Sequence, residues 1–249
     1  MLAFAVHFLA LTVVIWVINT ALYFLGGWAI LAYAARRSER KIQANADGAH
    51  RAREEIMESL RSIAATSACM ALAITLSVFG HTLWAPMTGW LGVIAGAAIL
   101  IVGYDLYFYW AHRLLHTKPL IRYHRWHHQS RAPTVWSSDS QSLVETLMLQ
   151  SFMIWAAVLL PIPPLAIVLH RLYDHFNGQL GHCGYEFFAD RGTRFPSPMV
   201  CVTYHDQHHE LYRWNYGNFT SIWDRLHGTM HPDYDRLVAE RERKTAKAE

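Results

Sequence analysis

The chain has 249 residues, of which 53% are hydrophobic and 16% charged, and carries a net charge of +3. Its apolar residues fall in long runs that point to a bilayer rather than a large soluble core. Its Arg and Lys residues flank those runs instead of forming a stripe, which argues against nucleic-acid binding. Cys69, Cys183 and Cys201 form no CxxC pair, so neither a disulfide scaffold nor a thiolate metal site is suggested.

The length suits one membrane-embedded domain. No Lys or Arg precedes the first apolar run, which argues against a cleaved secretory signal. Residues 2–35 are almost wholly apolar and would make about 50 Å of helix, too long for one untilted crossing of a core about 30 Å thick. This predicts a span over about 5–26, with a break or interfacial continuation at Gly26–Gly27 and His7 tolerated at the interface. Residues 36–61 carry seven basic residues (Arg36, Arg37, Arg40, Lys41, Arg51, Arg53 and Arg61) and read as a surface helix or loop. Further spans are predicted at 63–80 and 89–110, joined by a turn, 81–88, with no Lys or Arg. That contrast places 36–61 inside and 81–88 outside. The N-terminus is then outside, and the histidines at 112–128 are inside. Gly92 and Gly96 form a GxxxG that would let another helix approach closely. The run from Leu143 to Leu169 contains PIPP at 161–164, which breaks a helix. A hairpin of 143–160 and 165–180 keeps all later histidines on the inner side.

The predicted fold is all-α: a multi-pass transmembrane helical bundle with a histidine-rich di-metal domain on its cytosolic face. Its parts are an N-terminal transmembrane region over 1–99 with a linker at 36–62, a histidine-bearing domain over 100–235 that includes hairpin 143–180, and a charged tail over 236–249, exposed or frayed.

Three histidine clusters dominate the second half: HRLLH (His112, His116), HRWHH (His124, His127, His128) and HDQHH (His205, His208, His209). On helices, members of each cluster would share a face and converge on one centre. Eight imidazoles are costly to bury without a common partner. They exceed what one metal takes, whereas two metals fit, with His182 and His175 extending the set. Imidazole suits iron, zinc, copper or nickel. A zinc peptidase would require HExxH, and these clusters offer Arg or Asp instead. A metal transporter or metal-binding protein is the alternative of a different class, although the clusters flank the spans on one side only. Redox-active iron with O2, acting on a membrane lipid, is the best reading. No flavin, Rossmann or haem-binding segment is evident, so the electron donor is expected to be another protein. Asp105 and Tyr109 precede His112 by helical spacing and are candidates to orient an imidazole, as are Glu186 and Asp206.

These clusters, with DLYFYWAHRLLH (105–116), HFNGQLGHCGYE (175–186) and WNYGNFTSIWDRLHGT (214–229), resemble the membrane-bound fatty acid hydroxylase/sterol desaturase superfamily over about 100–230. The resemblance implies a histidine-ligated di-iron centre on the cytosolic side, O2 as co-substrate and an external electron-donor protein. It carries His112, His116, His124, His127, His128, His205, His208 and His209 over as ligands. His182 and His175 come from the segment that resembles the source of additional ligands. The implied reaction is hydroxylation of an unactivated C–H bond in a membrane lipid: a sterol, a fatty-acyl or sphingoid chain, or an ether lipid. Desaturation by the same centre and carotenoid hydroxylation are alternatives. The implied location is a bacterial inner membrane or the endoplasmic reticulum. Two positions depart from the family pattern: Ser142, where many relatives have a histidine, and His227, in an aromatic place that suggests packing or substrate contact.

Overall fold

Long apolar runs build long helices: α1 (Leu2–Ala34), α2 (Ala52–Val78) and α3 (Gly89–Leu115) in a computed structural model that describes residues 1–246. Each of the three is long and apolar enough to cross a membrane. α1 shows Val6, Leu9, Val13 and Val17 to the outside, the pattern of a surface that faces lipid. No strand forms among the described residues; Lys41–Tyr185 and Met199–Thr220 are isolated bridges.

α1 runs unbroken through Gly26–Gly27, so of the two expectations there the helix continues rather than breaks. The glycines serve close approach instead. A Cβ on Gly26 would lie 2.3 Å from Gln179 Oε1, and one on Gly27 would lie 2.7 Å from the Trp136 ring. Polar pairs hold α1 to α2: Asn19 Nδ2 donates to Ser67 Oγ at 3.0 Å, and His7 Nδ1 sits 3.0 Å from Thr75 Oγ1. His7 is therefore an interhelical contact rather than a merely tolerated residue.

The predicted linker of 36–62 is shorter than expected, because α2 begins at Ala52. Its first turns are not a solvated surface. Glu55 is buried and accepts from Ser130 Oγ at 2.5 Å and Thr134 Oγ1 at 3.2 Å. Ser59 Oγ and Tyr23 Oη both donate to the Trp136 carbonyl, at 3.0 and 2.7 Å. One face of α2 thus clamps the loop that follows the second histidine cluster.

α5 (Leu143–Leu159) and α6 (Pro164–Gly181) form the predicted hairpin around PIPP. Ser142 caps α5 by accepting from Glu145 N at 3.2 Å, and Pro164 begins α6, where a missing N–H costs nothing. Gly96 is where α3 meets this hairpin: a Cβ there would lie 2.7 Å from Pro163 Cδ and 3.1 Å from Ala166 Cβ. The short helices α4 (Ile121–His124), α7 (Val202–Leu211) and α8 (Ile222–His227) then assemble the site.

The last helix, α9 (Tyr234–Ala246), corrects the expectation of an exposed or frayed tail over 236–249. Tyr234 and Val238 are fully buried. Tyr234 Oη accepts from Cys201 N at 3.1 Å and donates to the Thr193 carbonyl at 2.7 Å. Arg225 and Asp235 pair at 2.7 Å. Residues 247–249 of that predicted tail lie outside the described residues.

Candidate metal centre

The end of α3 carries HRLLH with His112 and His116 on one face, as the spacing predicts. HRWHH does not lie on a single helix. α4 stops at His124, and His127–Gln129 form a separate 3-10 turn. His127 and His128, neighbours on that turn, diverge to different centres, and His128 joins His124. HDQHH is helical on α7, but its adjacent histidines also diverge around the helix. The nine imidazoles form a group of five, His112, His116, His124, His128 and His208, and a group of four, His127, His182, His205 and His209. Within each group the ligand nitrogens lie within 4.8 Å of one another.

Hydrogen bonds on the outer edge of the rings fix their tautomers. Nδ1 donates to the carbonyls of Tyr216 (from His112, 2.8 Å), Gly178 (from His182, 2.7 Å), Trp214 (from His208, 2.6 Å) and Ser130 (from His209, 2.9 Å). His127 reaches the Ser140 carbonyl at 3.3 Å, and His124 reaches Glu145 Oε1 at 2.8 Å. A carbonyl only accepts, so the proton sits on Nδ1 and the Nε2 lone pair turns inward. Yet these Nε2 atoms face each other: 3.0 Å for His112–His124, 3.3 Å for His182–His127 and 3.2 Å for His209–His182. Opposed lone pairs at that distance repel unless a cation lies between them. Burial, followed by the neighbouring imidazoles, pushes His127, His205 and His209 well below the ordinary histidine range. Burial likewise lowers His182 to about 4. Neutral imidazole is the form that ligates a metal. The donor set therefore fits two metal ions.

His175 is not brought into either group. Its Nδ1 accepts from Arg171 Nη2 at 3.2 Å and faces Asp139 Oδ2 at 3.6 Å, because α6 aims it one way and its C-terminal end aims His182 another. The four proposed orienting side chains also bond elsewhere. Asp105 accepts from Phe219 N (2.8 Å), Thr220 N (3.2 Å) and Trp223 Nε1 (3.0 Å). Tyr109 meets Thr229 Oγ1 and Arg113 Nη1, each at 3.0 Å. Glu186 holds Thr203 N at 2.7 Å, and Asp206 accepts from Gln43 at 3.1 Å. None of these bonds involves an imidazole. Asp105 and Asp224 instead shape the aromatic segment after α7: Asp224 Oδ1 accepts from Tyr216 N at 2.9 Å, setting the carbonyl that holds His112. His227 is exposed and stacks on Tyr109 with ring centroids 5.2 Å apart, a packing role.

The orienting group that sequence reasoning missed is Glu145. Its signal was present: a lone acid at the head of an apolar helix, three residues after Ser142. Backbone carbonyls, which supply most of the other partners, leave no residue-type signal.

A cavity of about 250 Å³ opens onto His112 and His124 of one group and His127, His182 and His205 of the other. Its remaining walls mix apolar Phe108 and Leu149 with Gln150, Arg171, Asp174 and His175. On another side, a more open basin of about 790 Å³ is floored by His116 and His128 and rimmed by Arg51, Arg125, Arg131 and Arg213.

The chain is similar to several known proteins. It is 30% identical over 162 residues to the very-long-chain aldehyde decarbonylase of Arabidopsis thaliana, covering 59% of this chain and 25% of that protein. It is 28% identical over 181 residues to a cholesterol 25-hydroxylase-like protein of Danio rerio, covering 66% of this chain and 71% of the relative. It is 33% identical over 153 residues to a methylsterol monooxygenase of Aspergillus fumigatus, covering 57% and 49% respectively. The chain thus spans only a quarter of the plant relative and about half of the fungal one. No solved structure matches it. The profile of the fatty acid hydroxylase family matches residues 97–229, the stretch that carries the eight histidines of the three clusters, and the chain belongs to that family.

Proposed function

We propose that the chain is an O2-dependent di-iron oxidoreductase that hydroxylates an unactivated C–H bond of a membrane lipid. The observation that carries this reading is the gathering of nine imidazoles into two ligand groups, five and four, with members of both groups on the wall of one cavity. The names of the relatives, which include a methylsterol monooxygenase and a cholesterol 25-hydroxylase-like protein, support a lipid oxygenase.

A pair of irons held there would supply, with O2, the one-electron oxidising chemistry that no acid or base can provide. The chain's own residues do the rest. Glu145 and the loop carbonyls keep each ring aimed, so ligand geometry does not relax during turnover. Phe108 and Leu149 present apolar surface beside the histidines and exclude water from the reacting carbon. All-imidazole ligation avoids thiolates, which an oxidising centre would itself oxidise. The basic linker at 36–51 supports a cytosolic position for the metal groups, with 81–88 on the opposite side. Electrons would come from an external protein, reaching the five-histidine group through the arginine-rimmed basin.

Mass spectrometry of lipid extracts from cells with and without the gene, under 18O2, tests the reading. A product 16 Da heavier for ordinary oxygen, and carrying label under 18O2, is expected. An unlabelled product 2 Da lighter would convert the reaction to desaturation. Metal flux across vesicles with no lipid oxidation would replace the enzyme by a transporter.

A further inference from the structure

The cavity has a second chemically distinct wall, opposite in character to the apolar one. Arg171 on α6 is buried and donates to Asp139 Oδ1 at 3.0 Å, to Asp174 Oδ2 at 3.3 Å and to His175 Nδ1 at 3.2 Å. Asn218 Nδ2 fixes the other oxygen of Asp174 at 3.2 Å. A guanidinium has no acceptor, so the contact with Arg171 assigns the lone pair of His175 to Nδ1 and the proton to Nε2. That Nε2 is buried and has no hydrogen-bond partner, and the ring lines the cavity. A buried N–H without a partner is rare in a folded protein. Here it lies in a cavity that already faces five of the ligand histidines.

Charge narrows what can fill it. Arg171 contributes one positive charge to this wall, Asp139 and Asp174 two negative ones, and the sum is −1. Glu145, bonded to His124, lines the same cavity. Arg171 is already paired with both carboxylates, so this wall offers a ligand oxygen no free cation, whereas an uncharged oxygen needs only the one donor.

We propose that His175 Nε2–H, held in place by Arg171, binds an uncharged oxygen of the lipid substrate, such as an alcohol, aldehyde or ketone. The lipid would then enter with its polar end beside the metal groups. This deepens the lipid-oxygenase reading and rests on it for the identity of the ligand as substrate. His175 becomes a specificity-determining residue that touches substrate, not a metal ligand.

The test is equilibrium binding of radiolabelled octadecan-1-ol and octadecane to the full chain in nanodiscs, with retention in empty nanodiscs subtracted. The wild-type protein should prefer the alcohol to the alkane. His175→Phe should reduce alcohol binding about tenfold, the loss of one buried hydrogen bond, with alkane binding and metal content unchanged. His175→Gln, which keeps an N–H near the same point, should restore most of the preference. A wild-type protein that binds alcohol and alkane equally would overturn the proposal, and so would an alcohol-to-alkane ratio untouched in His175→Phe. If the Phe variant does not fold, the wild-type order and the Gln variant still decide. An intact alcohol preference without any 18O-labelled product would leave the subsite standing and defeat the oxygenase reading alone.

Discussion

His124 donates from Nδ1 to the buried Oε1 of Glu145 at 2.8 Å while its Nε2 faces His112 Nε2 at 3.0 Å. A carboxylate on α5 thus sets the aim of a ring at the end of α4, and so ties the hairpin to the five-histidine group. Such outer partners typically contribute a factor of about 10 to 100 in metal affinity. Glu145→Ala should therefore weaken metal binding at that group by about this factor, and Glu145→Gln, which keeps an acceptor, by much less. Titration against a competing chelator measures both. Equal affinity in all three proteins would remove Glu145 from the site.

His208 and His209 are neighbours in sequence but belong to different groups. Protein expressed with iron should hold about two metal ions per chain, the count expected for two ligand groups of four to six donors each. His208→Ala should selectively lose metal from one group and His209→Ala from the other. Elemental analysis, combined with the double variant, would show whether the losses add. If one substitution empties both groups, the histidines form a single cooperative centre. Chelation of the wild-type protein should lower its melting temperature, because facing Nε2 lone pairs lose the cation between them.

Much of this was legible in sequence because the signals were local. Hydropathy runs located the long apolar helices, three prolines in PIPP located the hairpin turn, and the histidine clusters named eight of the nine residues of the two groups. The distribution between groups was not legible. It depends on adjacent rings, His127 beside His128 and His208 beside His209, turning into different groups, which residue type does not announce. Asp105 was placed beside His112 by helical spacing, yet its partners come from Phe219 and Thr220, far along the chain. Gly26–Gly27 looked like a break because a glycine pair weakens a helix; the approach of Gln179 and Trp136 overrides that propensity.

Gly96 marks the contact between α3 and the hairpin. Its missing side chain is replaced by Pro163, a rigid ring that cannot swing aside. Gly96→Val should destabilise the protein by about 1–3 kcal/mol, the usual cost of overpacking. Thermal unfolding in detergent measures it. A neutral substitution would mean that α3 and the hairpin are not in close contact.

The basic linker predicts a topology. Reporter tags after Lys41 and after Thr245 should both be cytosolic, and a tag within 83–87 should be on the other side. Protease protection in sealed vesicles separates the outcomes. Opposite locations for the Lys41 and Thr245 tags would break the hairpin assignment.

The basin over His116 and His128 offers the last prediction. His116 is only half-buried, so this is where the five-histidine group comes nearest to solvent. Arg125, Arg131 and Arg213 on its rim are exposed and have no carboxylate partner among the described residues, while Arg51 has only a long contact, 3.5 Å, to Glu54. Unpaired positive charge around a recessed ligand suits an acidic one-electron carrier, since complementary charge steers encounter and sets orientation. Arg125→Glu and Arg213→Glu should each slow reduction of the iron-loaded protein by an acidic plant-type ferredoxin at low salt. The difference should shrink as ionic strength rises, because the Debye length falls to about 3 Å at 1 M. Reduction by dithionite, which needs no docking surface, should be the same in all three proteins. Stopped-flow absorbance gives the rates. If the variants match wild type with ferredoxin but bind anionic vesicles less well, the arginines serve lipid headgroups and the carrier docks elsewhere.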